Sequence, residues 1–258
     1  MRVARRIGAL AGNTFREAVR NKLLYNLLLF AVLMIASSVI IADLHLGHAE
    51  RIYLDFGLSA IALFGTLIAI FVGINLVYRE ISLKTVYTLL AKPVHRWEFL
   101  LGKYAGLVAL LFLEIALMGG CFLVLLLLQD SEVTSSLVLA IGMIFLELVL
   151  ITAVAIFFSS FTTPYLAGMF TVALWIIGHL LADLRAFGEH SEIGSLQRLT
   201  EVLYWTLPNL DRVDIKSLAA AGHPLETAQL AVSALYAVGY STMLLLASVV
   251  LFRRRDFR

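Results

Sequence analysis

Residues 104–129 read YAGLVALLFLEIALMGGCFLVLLLLQ, a run in which Glu114 is the one charged side chain. At 1.5 Å rise per residue, about 20 apolar residues carry a helix across a hydrocarbon core of roughly 30 Å, so this run is long enough to span a bilayer. A membrane barrel strand would alternate apolar and polar positions, and this stretch does not. Lipid offers no partner to backbone N–H and C=O groups, which leaves a helix as the structure that satisfies them internally.

The same yardstick applied outward finds five more spans, at residues 23–42, 56–78, 133–161, 165–182 and 227–252. Among them only 133–161 contains a formally charged residue, Glu147. The expectation is an all-α polytopic membrane protein, a single six-helix transmembrane bundle occupying residues 1–258. Composition agrees. With 61% hydrophobic and 15% charged residues and a mean hydropathy of +0.92, the chain would expose large apolar patches as a soluble domain. A net charge of +2 gives no electrostatic footprint for nucleic acid. The single cysteine, Cys121, lies within an apolar run, which excludes a disulfide framework and a cysteine-based metal site.

Charge placement sets the expected orientation. Arg2, Arg5, Arg6, Arg16, Arg20 and Lys22 precede the first span. Arg79, Lys84, Lys92, Arg96 and Lys103 lie between the second and third, and Arg253, Arg254, Arg255 and Arg258 follow the sixth. By the bias of basic residues toward the cytoplasm, these segments and both termini are cytoplasmic. The chain is thus expected to be integral to the bacterial inner (plasma) membrane. The amino terminus has the basic-then-apolar order of a signal peptide, but the apolar run is too long and no small-x-small cleavage site follows it. Instead Val3, Ile7, Leu10, Ala11, Phe15 and Ala18 recur at helical spacing, opposite Arg2, Arg6, Asn13, Arg16 and Arg20. This predicts an amphipathic interfacial helix over residues 1–22.

The most informative soluble stretch is 79–103, REISLKTVYTLLAKPVHRWEFLLGK. Nothing breaks a helix there until Lys92-Pro93, where proline disfavours helix in the residue before it and suits the first turn of the next. A short cytoplasmic helix held between two spans transmits any force on it into both. Just beyond, Gly102 and Gly106 form a small-xxx-small pair at which another helix can approach closely.

In order and spacing the chain resembles the type-2 ATP-binding-cassette (ABC) transporter permeases. The resemblance is carried by Glu80, Thr85, Leu89-Leu90, Pro93, Arg96 and Leu101-Gly102-Lys103, with Lys84 where the family has glycine. Arg16-Glu17-Ala18-Val19-Arg20-Asn21-Lys22, Leu207-Pro208-Asn209 and the ending Phe252-Arg253-Arg254-Arg255-Asp256-Phe257 extend it over nearly the whole chain. It implies a permease subunit, most often of an exporter, that pairs with a second permease copy or close homologue. It also implies cytosolic ABC ATPase subunits, which would bring ATP and Mg, while this chain holds no cofactor. Residues 79–103 would then be the coupling segment. Glu80, Thr85, Lys92 and Arg96 would sit at or beside the ATPase contact, Leu89 and Leu90 would supply its apolar anchor, and Pro93 would fix the angle into the third span. The outer loop, residues 183–226, would cap the mouth of the pathway and offer a place for an extracytoplasmic accessory protein.

The motifs absent from the sequence agree. There is no Gly-x-x-x-x-Gly-Lys-[Ser/Thr] phosphate loop, no His-Glu-x-x-His and no Gly-x-Ser-x-Gly, and the six histidines are scattered. The chain is therefore not expected to be an enzyme or to carry a metal.

Three ionisable residues fall inside spans: Glu114 and Glu147 near mid-membrane and His179 toward the outer end of the fifth. A charge at that depth costs on the order of 3 kcal/mol on insertion scales, so each needs a partner. They fit a polar path or proton relay, or interhelical hydrogen bonds made by protonated glutamate. The alternative function is accordingly an ATP-independent channel or proton-coupled carrier using Glu114 and Glu147. Within 183–226, Ile193, Leu196, Leu199, Leu203 and Leu207 have near-helical spacing, which predicts an amphipathic helix ending at Pro208 with Tyr204 and Trp205 suited to the interface.

Tags placed after Met1 and at Arg258 are expected to label from the cytoplasmic side and one beside Gly222 from outside. Opposite labelling of either terminus would remove the six-span arrangement.

Overall fold

The computed structural model describes residues 2–20, 22–43, 49–82, 95–129, 131–222 and 225–254. These form α1 (Arg2–Val19), α2 (Lys22–Asp43), α3 (Ala49–Ser82), α4 (Arg96–Leu128), α5 (Ser135–Ser159), α6 (Pro164–Glu189), α7 (Gly194–Thr206), α8 (Lys216–Ala220) and α9 (Thr227–Arg254), with no strand among the described residues. Among the described residues five stretches are long and apolar enough to cross a membrane: Arg51–Ile74, Trp97–Leu128, Ser135–Ser159, Pro164–Glu189 and Thr227–Leu251. A shorter apolar stretch, Leu27–Ser37, lies within α2. The chain is an all-α polytopic membrane protein.

Four buried hydroxyls inside the spans are satisfied without leaving their own helix. Thr152, Thr171, Ser241 and Ser248 each donate to the carbonyl four residues back, at 2.6–2.7 Å. This removes the penalty of an unpaired polar group in an apolar surround. Thr163 takes an extended conformation as N-cap of α6 with Pro164 as first helical residue, although the Thr163 side chain makes no capping bond. Proline there forfeits only an N–H that the first turn leaves free.

α5 is the hub. It packs against α3, α4, α6, α8 and α9, and its face from Leu148 to Ile156 is buried without interruption. Close approach is bought with glycine: Gly65 of α3 receives Leu148 and Ile115, and Gly57 receives the Phe122 ring. α6 and α9 by contrast turn large apolar side chains outward, among them Tyr165, Met169, Leu235 and Leu246. For a bundle in lipid this needs no polar cover.

α1 packs along α4. A Cβ on Gly102 would lie 2.5 Å from Leu10 Cβ, and one on Gly106 would lie 2.6 Å from both the Ala11 carbonyl oxygen and Thr14 Cβ. The small pair thus admits α1, whose Thr14 and Ala18 are fully buried. Two ion pairs reinforce the seam, Arg6 Nη1 to Glu98 Oε2 at 3.7 Å and Lys103 Nζ to Glu17 Oε2 at 3.7 Å. Glu98 also accepts the His95 backbone N–H at 3.1 Å, closing the first turn of α4. The apolar stripe of α1 is therefore covered in good part by α4.

Gly106→Ala is expected to cost about 1 to 3 kcal/mol by overpacking against the α1 backbone. It should speed hydrogen exchange of residues 2–19, whereas Gly120→Ala, which meets open space, should leave that exchange unchanged.

Candidate gating site

The segment between α7 and α9 does not lie over the bundle as a loose loop. α7 ends with Leu207, whose N–H donates to the Leu203 carbonyl at 2.9 Å, and Pro208 stops it. The chain then turns inward. Pro208, Asn209 and Leu210 are buried, as are Val213, Ile215, Ala219 and Ala220. α8 reaches both α3 and α5. Gly222, with φ +69°, ends α8 in the left-handed conformation that glycine adopts at no steric cost, and its N–H returns to the Ala219 carbonyl at 3.1 Å. Residues 207–221 are thus a plug seated in one end of the bundle.

Its seat is made by two helices. On α6, Gly178 lets the plug lie against the backbone: a Cβ there would come within 2.9 Å of Leu210 Cγ and of the Pro208 oxygen, and the Leu210 N–H donates to the Gly178 carbonyl at 3.0 Å. On α9, Tyr236 Oη accepts the Asn209 N–H at 2.8 Å, Ser233 donates to the Arg212 carbonyl at 2.7 Å and Tyr240 donates to the Thr206 carbonyl at 2.7 Å. Arg212 also lies over the Tyr204 and Tyr236 rings at 5.6 and 5.5 Å. Its guanidinium donates to Tyr204 Oη at 3.0 Å and holds that phenol's pKa below its ordinary value.

Beneath the plug four ionisable side chains converge. His179 Nε2 is 3.2 Å from Glu147 Oε1 and 3.9 Å from Asp214 Oδ2. Lys216 Nζ is 2.8 Å from Asp214 Oδ2 and 3.7 Å from Glu147 Oε2. The Lys216 N–H also donates to Asp214 Oδ1 at 3.0 Å, so Asp214 meets both the backbone and the ammonium of the first residue of α8. Burial works against the Lys216 ammonium, but Glu147 and Asp214 together outweigh it and raise its pKa above the ordinary lysine value. Burial, with Asp214 beside it, raises the carboxyl of Asp211. Two members of this quartet belong to the bundle and two to the plug. Withdrawing the plug would separate Glu147 from Lys216 and His179 from Asp214.

The residues singled out in the sequence fall in three places. Glu147 and His179 meet each other and the plug. Glu114 is buried elsewhere in α4, and neither of its carboxyl oxygens meets a protein hydrogen-bond partner among the described residues. Glu80 lies in the last turn of α3 and Arg96 is the first residue of α4. Thr85, Leu89, Leu90, Lys92 and Pro93 lie outside the described residues. Asp214 and Lys216 were not singled out. The signal for them was the apolar set Leu210, Val213, Ile215 and Leu218 interleaved with charges, a pattern too greasy for a solvated loop.

A family model described as ABC-2 family transporter protein matches residues 9–257, from within α1 to the last residues of the chain. No curated protein matches the chain. With a match over nearly the whole of an all-α membrane bundle, the chain belongs to the ABC-2 transporter family and is a membrane permease subunit of an ABC transporter.

Proposed function

We propose that this subunit exports its substrate by opening the mouth beneath the plug when partner ATPases, carrying ATP and Mg, close on residues 79–103. The observation that carries this reading is α3, one unbroken helix from Ala49 to Ser82. Its residues pack against α8 of the plug, and its last turn opens the segment between the second and third spans. At 1.5 Å per residue that helix is about 50 Å long, and a stiff rod of that length carries a push at one end to the other. α4 leaves the same segment at Arg96 and is clamped to α1, so force on the segment is also shared with the amino-terminal helix.

In this reading α2 supplies the first of six spans and both termini are cytoplasmic. α1 lies along the inner leaflet with Arg5, Arg16 and Arg20, which are exposed, toward the headgroups. The plug faces outward, where an extracytoplasmic accessory protein can reach it. A second permease copy completes the pathway, since one bundle leaves α6 and α9 largely uncovered. Glu80, Thr85, Lys92 and Arg96 sit at the ATPase contact, Leu89 and Leu90 anchor it, and Pro93 sets the turn into α4. Glu114 serves packing, whereas Glu147 and His179 serve the gate.

Truncating a buried interface anchor typically costs about 2 kcal/mol, roughly a thirtyfold loss of affinity. The double change Leu89→Ala, Leu90→Ala should therefore release the co-purifying ATPase. Glu80→Ala or Arg96→Ala should retain it while ATP turnover no longer follows transport. Wild-type pull-down and turnover in all of these would sink the coupling assignment, and transport driven by a proton gradient without ATPase would replace it with a carrier. Lys216→Gln should leave the complex assembled but free the plug, seen as faster hydrogen exchange across residues 207–221.

A further inference from the structure

α7 carries apolar side chains on two faces, and the bundle uses one of them. Leu196, Leu203 and Leu207 are half-buried and Thr200 is buried, on the side that packs against α6. At about 100° per residue, Val202 stands nearly opposite Thr200, with Leu199 and Trp205 flanking it. Leu199, Val202 and Trp205 are 55%, 60% and 67% exposed. Gln197 and Glu201 lie off this stripe, in a polar cleft shared with Arg185 and Glu189 of α6.

Contacts with α6 fix the depth of the stripe. A Cβ on Gly188 would overlap the Thr200 hydroxyl, Arg185 lies over the Tyr204 ring at 4.7 Å, and Gly178 meets Pro208 and Leu210. α7 therefore runs back down α6 toward the bilayer. Its last turn is level with Asp183 and Arg185, the first formally charged residues of α6, where hydrocarbon gives way to headgroups. From Trp205 to Leu199 the helix climbs about 9 Å at most, against a headgroup layer of about 5 to 7.5 Å. The stripe thus crosses that layer with Trp205 at its base, the level at which indole rings concentrate. Arg198, exposed one turn beyond Val202, is placed to meet phosphate.

Lipid also reaches this position. α6 and α9 both pack against α5, and α7 bridges them at the plug end, with Thr200 and Tyr204 against α6 and the Thr206 carbonyl accepting from Tyr240 of α9 at 2.7 Å. Just below this bridge both helices turn large apolar side chains outward, Leu180 of α6 and Leu235 of α9.

We propose that Leu199, Val202 and Trp205 form a lipid-docking face, through which phospholipid on the plug side of the membrane holds α7, and the plug that continues from it, in place. In the topology above this is the outer leaflet. The tether does not depend on residues 79–103 moving the plug, so ATPase coupling can fail while the tether stands.

The test uses the full-length chain in nanodiscs with Cys121→Ser, which removes the exposed lone thiol, and a spin label at Val202→Cys. Collision of that label with oxygen, which concentrates in lipid, should exceed collision with a water-soluble nickel chelate. A label at Ser195→Cys, on the same face two turns farther out, should show the reverse. Nickel dominant at both positions overturns the docking face. A label at 202 that meets neither reagent is covered by protein, a second copy or an accessory subunit, and overturns it as well. The hold on the plug is read by hydrogen exchange across residues 207–221. Val202→Asp, which sets a carboxylate against lipid, should speed that exchange roughly threefold or more. If Val202→Asp does not assemble, Val202→Ser supplies the same comparison in a smaller step. Lipid contact at 202 with unchanged exchange overturns the tether.

Discussion

A carboxylate held among helices in lipid must have its charge answered within contact distance, and the architecture at one end of this bundle is organised around that demand at Glu147. Glu147 of α5 is 1% exposed, so its carboxylate is cut off from bulk water. Its partners are brought in from two directions: His179 from α6, and Lys216 from a chain segment that folds back into the bundle to deliver it. Asp214 comes with Lys216, 2.8 Å from its ammonium, so the segment delivers a balanced pair.

The rest of the fold can be read as support for that site. Glycines at 57, 65 and 178 let helices and plug approach at backbone distance, so a displacement at one position is felt at the next instead of being absorbed by side chains. α3 touches α2, α4, α5, α6 and α8, which places one rigid element in contact with most of the bundle. Glu114 shows by contrast what an isolated acidic residue looks like in the same membrane: enclosed, with no hydrogen-bond partner among the described residues, and tied to neither the plug nor the quartet.

Five of the six expected spans were legible in the sequence, because hydrocarbon thickness fixes their length and lipid forbids charge; in the region of the expected span 23–42 the apolar stretch is the shorter Leu27–Ser37. The helix ending before Pro208 was legible because proline acts locally. The Gly102 and Gly106 pair announced a close neighbour without saying which, since the spacing is a property of α4 alone and the partner, α1, is about ninety residues away in sequence. The plug was the hardest part to see. Its charges made 183–226 read as an outer loop, and only three-dimensional closure shows that Lys216 and Asp214 point inward to Glu147. Likewise the apolar run of the fifth span stops at Ala182, yet α6 continues to Glu189. There an Arg185–Glu189 pair at 2.9 Å and the contact of Gly188 with Thr200 replace hydrophobicity as the reason for helix.

The seam between α1 and α4 has a bearing on how the protein is made. α1 precedes its partner by about ninety residues, which at ribosomal speeds of about 5 to 20 residues per second is on the order of 5 to 20 seconds of synthesis. During that interval Leu10 and Thr14 have no protein surface to cover them. When α4 arrives, Lys103 and Glu98 enter an apolar surround and need Glu17 and Arg6 beside them. The two helices are thus mutually incomplete until both have been made.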